Sequence, residues 1–165
     1  MYRSGHYGTA LLVYAPVGYL LLAWGAGDLA WAGVLLMLAA AMVPDWDQQV
    51  PLLAHRGITH SVWFALAFGG LLAIVGWHLG GVIYSSPLLL GFGFALGVLS
   101  VLAHLGADAL TPMGIRPFAP VWDRSLSLSV VSASNPIANR LLFVVGSAAT
   151  GAVLLGAENV SMLPT

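Results

Sequence analysis

Apolar positions in this chain come in long uninterrupted runs, separated by short polar segments, rather than in the alternating or 3.6-residue stripes of a water-soluble domain. Five such runs stand out, over residues 7–24, 28–43, 59–78, 87–110 and 139–157. Crossing the hydrocarbon layer takes about 20 mostly apolar helical residues, so each run predicts a transmembrane helix. The second is short, because Pro44 removes a backbone donor and biases its predecessor away from helix. Asp28 is the expected N-cap of that helix and Thr59 that of the third. Pro87 suits the first turn of the fourth, which Thr111-Pro112-Met113-Gly114 should close. The N-terminal MYRSGHYG lacks a small-residue cleavage site and reads as part of a retained helix. No repeat or low-complexity linker divides the chain. The expected fold is therefore all-α: one integral membrane domain over residues 1–165, a polytopic bundle of about five helices.

Composition sharpens this picture. Of 165 residues, 59% are hydrophobic and 7% charged, and the mean hydropathy of +0.93 belongs to a chain whose solvent is lipid. Threading the five spans in alternation puts Arg3, Arg56, Arg116, Arg124 and Arg140 all on one side. The positive-inside rule then makes that side cytoplasmic, in a multi-pass protein of the cell membrane. A net charge of −1 gives no overall basic field, so bulk nucleic-acid binding is not expected. With no Cys, a metal site here must be built from imidazole and carboxylate.

The same threading gathers seven such groups in one leaflet. His6 begins span one, Asp45 and Asp47 end span two, His55 and His60 begin span three, and His104 and Asp108 end span four. His104 and Asp108, four apart, share a helix face. His104 lies roughly 26 Å along its span, within a ~30 Å hydrocarbon layer, where an ionisable group marks a functional site or a helix-tying hydrogen bond. His55 and His60 flank Gly57, where the backbone can bend. The remaining polar residues have plainer readings: His78 interfacial, Glu158 a solvated tail, Asp123 paired with Arg124. The Trp and Phe residues read as lipid-facing or packing. SLSLSVVSA, residues 125–133, alternates enough for a short strand or hairpin lid.

At Gly5-His6, PDWDQ (44–48), HRGITHS (55–61) and LAHLGADALTPMGIRPFAP (102–120), in this order, the chain resembles the YdjM-like family of membrane-bound predicted metal-dependent hydrolases. The resemblance covers about residues 5–120, and the last helix is generic. It implies a metal held by His6, Asp45, Asp47, His55, His60, His104 and Asp108, where Gln48 stands in place of the pattern's final His. The family is similar in turn to zinc-dependent phospholipase C and P1-type nucleases, which implies phosphoester hydrolysis.

The function expected from cluster and resemblance together is a hydrolase in which Zn²⁺, with Mn or Fe as alternatives, lowers the pKa of a bound water toward ~7. Asp47 would take the proton, and Arg56, or Arg116 in second place, would hold a phosphate oxygen. A site at the interface suits a lipid phosphoester. Two other classes compete: a structural or regulatory membrane protein whose His/Asp cluster staples the helices, and an ion permease, which the apolar far half of the membrane disfavours. Gly-rich spans permit close helix contacts within one chain or in a homo-oligomer.

Overall fold

A computed structural model describes residues 1–51, 55–81 and 84–161, with side chains described as far as residue 156, so Glu158 lies outside the described side chains. Five helices follow one another: α1 (Arg3–Ala23), α2 (Gly27–Ala40), α3 (Val62–Leu79), α4 (Ser86–Ala109) and α5 (Pro136–Ser161). All five are long and apolar enough to cross a membrane, α2 by continuing through a 3₁₀ turn as Gly27–Gln49. No strand occurs among the described residues; a single antiparallel bridge joins Ile115 to Leu126. Instead of a hairpin lid, the 125–133 segment is a strap across the end of α4, held by Leu128 N–H to the Ala109 carbonyl (2.8 Å) and Val130 N–H to Leu110 (2.9 Å).

Local chemistry shifts several boundaries. Helix α3 starts at Val62, because Ser61 rather than Thr59 caps it, accepting from the Phe64 N–H at 3.3 Å. His60 therefore sits in a separate 3₁₀ turn, Ile58–His60, and Asp45 and Asp47 in another, Pro44–Gln49, rather than in an open loop. Asp28 does not cap α2; it lies in its first turn, accepting from Leu29 N–H and, by a short bond, from the Tyr84 hydroxyl. Asp123 pairs with Arg116 at 3.0 Å, while Arg124 lies over the Trp122 ring. His78 is exposed at the far end of α3.

In lipid, helices gain little from burying apolar surface against one another, so they associate through close packing and small residues. The main pairings are α3 with α4 and α1 with α5, with α2 against α1 and α4. Tyr14 of α1 is fully buried over Gly33 of α2, where a Cβ would collide with its ring, and its hydroxyl donates to the Ala30 carbonyl at 2.6 Å. Around it Ala10, Met37, Ala41, Leu96 and Ala103 form a cluster joining α1, α2 and α4. Leu71, Ile74, Val144 and Leu155 point outward, as lipid-facing side chains should. This packing brings the first turn of α1, the end of α2, the start of α3 and the end of α4 to one end of the bundle.

Candidate metal centre

At that end the structure places six of the seven candidate groups in contact and buries most of them. His6, Asp47, His60, His104 and Asp108 are each no more than 2% exposed. The seventh, His55, is 41% exposed and joins the group from its edge through Nδ1, 3.0 Å from Asp47 Oδ1. Ligand atoms of Asp45, His60, His104 and Asp108 all lie within 4.8 Å of one another, and so do those of Asp47, His55 and His60.

Hydrogen positions follow from the partners. His104 Nδ1 lies 2.8 Å from the Ala41 carbonyl, which can only accept, so Nδ1 carries the hydrogen and Nε2 keeps its lone pair. The Thr59 hydroxyl donates its one hydrogen to Asp47 Oδ2 at 2.7 Å and so accepts from His60 Nδ1 at 3.1 Å, freeing His60 Nε2 likewise. With both imidazoles neutral, the two Nε2 atoms face each other at 3.2 Å with no hydrogen between them. Asp45 Oδ1 is 3.4 and 3.5 Å from these nitrogens, and Asp108 Oδ2 3.5 and 3.8 Å. Four electron-pair donors pointing at one spot repel unless a proton or a cation sits among them. Burial alone would lower the pKa of His60, but hydrogen bonds to Asp108 and Asp45, with the charge of Asp108 and Asp47, outweigh it and hold His60 above its ordinary value. A metal ion would take the place of that proton. The residues present therefore fit a divalent ion: neutral imidazoles, carboxylates, and more negative than positive fixed charge.

Around this centre stands a supporting layer. His6 stacks on His104 with centroids 3.8 Å apart, its Nε2 3.6 Å from Asp108 Oδ1 and its buried Nδ1 without a hydrogen-bond partner among the described residues. The Met1 ammonium donates to Asp108 Oδ1 at 2.8 Å. Arg56, at a positive φ of 58°, directs Nη2 to the same oxygen (2.8 Å) and Nη1 to the Gly114 carbonyl (2.8 Å), so its guanidinium is largely taken up. Gly114 itself has φ 62°, a conformation that turns the chain sharply after α4 and suits glycine. Asp47 is also committed: besides Thr59 and His55 it accepts the Arg56 backbone N–H at 3.1 Å. It braces both histidines in the manner of an outer-shell carboxylate.

Thr59 and the Ala41 carbonyl were not singled out for the site from sequence; the position of Thr59 between two histidines in HRGITHS was the available signal, and a backbone carbonyl leaves none. Thr59→Val, which keeps the shape and removes the hydroxyl, is expected to weaken metal binding about 10- to 100-fold, read by competition with a chromophoric chelator. Gln48 is exposed and outside the donor group, so the departure from the pattern at this position removes no atom from it.

A family model described as YdjM inner membrane protein matches residues 1–163. The chain belongs to this family. No curated protein and no solved structure matches it. Membership of an inner membrane family agrees with the five apolar helices and extends the relationship across α5, beyond the motif-bearing 5–120.

Proposed function

We propose that this YdjM-family protein is a membrane-embedded, metal-dependent hydrolase of phosphoesters, its site at the cytoplasmic face. The observation that carries the reading is the set of four converging donor atoms of Asp45, His60, His104 and Asp108. The five separations that involve a histidine nitrogen, 3.2 to 3.8 Å, with the two carboxylates within 4.8 Å of each other, compare with about 3.3 to 3.4 Å for the edge of a tetrahedron whose corners lie ~2.0–2.1 Å from zinc. This supports zinc ahead of larger ions. All five Arg at the end of the bundle that holds the site support the cytoplasmic orientation.

A bound divalent ion would supply Lewis acidity and make water a nucleophile near neutral pH. The chain's own groups divide the remaining work. Water oxygen bonds to phosphorus, the bond from phosphorus to the leaving alcohol oxygen breaks, one water proton passes to a carboxylate, and the alcohol leaves with a proton. Asp47, expected from sequence to take that proton, has both oxygens engaged by His55, Thr59 and the Arg56 N–H. Asp45 suits the role better: it is the most exposed of the four donors, at 14%, and its Oδ2 stands 4.0 Å from His6 Nε2. Arg56 holds Asp108 in place rather than reaching for substrate.

Detergent-purified wild type is expected to contain about one zinc, manganese or iron per chain by elemental mass spectrometry, and to show a chelator-sensitive phosphodiesterase activity that His104→Ala lacks. Metal without turnover on any phosphoester, with a melting temperature lowered by chelation, would replace catalysis by a stapling role. No metal under chelator-free purification would sink the proposal.

A further inference from the structure

Three of the four donor residues are sealed, at no more than 1% exposure, and only Asp45 is open to the outside. It opens into a cleft of about 440 Å³ between the start of α1 and the Pro44–Gln49 turn, lined among others by Tyr2, Arg3, Met42, Trp46 and Gln48. This cleft is the opening that borders the exposed carboxylate of the donor group.

The lining has a definite chemistry. Arg3 is exposed and makes no ion pair or side-chain hydrogen bond among the described residues, unlike Arg56 and Arg116, which are paired. A guanidinium standing free beside a site is a ready donor to a phosphate oxygen. It is the cleft's one cationic side chain, and Gln48 and Gln49 add neutral amides. Trp46, 58% exposed, Tyr2, 49% exposed, and Met42 add apolar and aromatic lining. Amphipathic rings at helix ends belong at the level where headgroups meet acyl chains. Met1 and Asp45 line the cleft too, but the Met1 ammonium is held by Asp108, so Arg3 is the cation left to meet a phosphodiester, and the apolar lining suits one that carries acyl chains.

We infer that this cleft is the substrate entrance, that it admits the phosphodiester headgroup of a membrane lipid from the side, and that Arg3 is its specificity-determining residue. The inference rests on the hydrolase proposal for what happens to the lipid, but not for its binding.

The test is binding of dihexanoylphosphatidylglycerol, below its micellar concentration, to detergent-purified protein, followed by saturation-transfer NMR. Arms with dihexanoylglycerol, glycerol 1-phosphate and inorganic phosphate distinguish tails, soluble ester and free anion. Arg3→Gln should weaken the phospholipid about tenfold with bound metal unchanged, and Arg3→Lys should restore part of the loss. Arg140→Gln, which removes an equal charge outside the cleft lining, should leave affinity within about twofold. Equal binding by Arg3→Gln and wild type would overturn the inference. So would dihexanoylglycerol binding as well as the phospholipid, or glycerol 1-phosphate binding as tightly, which would make this a cleft for soluble esters. If wild type holds no metal, the hydrolase proposal falls, while the Arg3 comparison on the same protein still decides the cleft.

Discussion

Asp108→Ala is expected to yield a protein that binds no metal and is less stable by about 3 to 5 kcal/mol, the usual cost of removing one partner from a buried ion pair. Two effects combine. Oδ2 is one of the four donors, and Oδ1 holds Arg56 and the Met1 ammonium at 2.8 Å each. Arg56 is only 11% exposed, so losing the carboxylate strands a guanidinium at the edge of a low-dielectric region. Asp108→Asn separates the effects: the amide keeps the volume and an acceptor oxygen, so part of the structural contact survives, while the ligand charge is gone. Metal affinity should fall about 100-fold or more in Asn as in Ala, with a smaller drop in melting temperature. Elemental analysis and a thermal melt on the same preparations check both. If Asp108→Ala kept its metal at wild-type affinity, the four-donor centre would be wrong.

The helices were legible because lipid imposes a simple demand: every backbone polar group must be satisfied within a long apolar helix. Pro87 and the Thr111-Pro112-Met113-Gly114 stop placed α4 within one residue of its observed ends. The start of α3 was harder, since Thr59 and Ser61 are both good caps. What decides between them is Asp47, which draws the Thr59 hydroxyl at 2.7 Å and leaves Ser61 to the helix. Asp28 failed as a cap for a similar reason: Tyr84, far away in sequence, satisfies it. Choices between chemically equivalent neighbours are made by tertiary partners, and a single chain written out linearly does not display those.

The same holds within the site. Alternating spans already brought His6, Asp45, His60, His104 and Asp108 to one end, and the structure joins them there. The Asp45-Trp46-Asp47 pair, however, offers two carboxylates with no local difference between them. In the 3₁₀ turn the first turns to His60 and His104, the second to Thr59, His55 and the Arg56 N–H. Donor and brace are thus set by a turn geometry that spacing alone leaves open. The cleft at Arg3 was equally hidden, because it needs α1 and the Pro44–Gln49 turn side by side.

Gly146→Leu is expected to separate α5 from α1 while leaving the metal in place. The two helices touch backbone to backbone: a Cβ on Gly146 would overlap the Gly8 carbonyl, and one on Gly8 the Leu142 carbonyl and Phe143 N. No rotamer relieves a clash with main chain, so the helices must move apart. Thr150 then loses its 2.8 Å bond to the Leu11 carbonyl, and Asn139 its 2.9 Å bond from the Tyr2 N–H. Overpacking typically costs about 1 to 3 kcal/mol, and a backbone clash lies at or above the upper end. Because the main contacts of α5 are with α1, little else holds it. A melting temperature lowered by several degrees, read with Gly146→Ala as a milder step, checks this. The four donors belong to other elements, the two 3₁₀ turns and α4, so metal content should stay at the wild-type level. Loss of metal along with α5 would instead mean that His6, carried by α1 and stacked on His104, is itself indispensable to the centre.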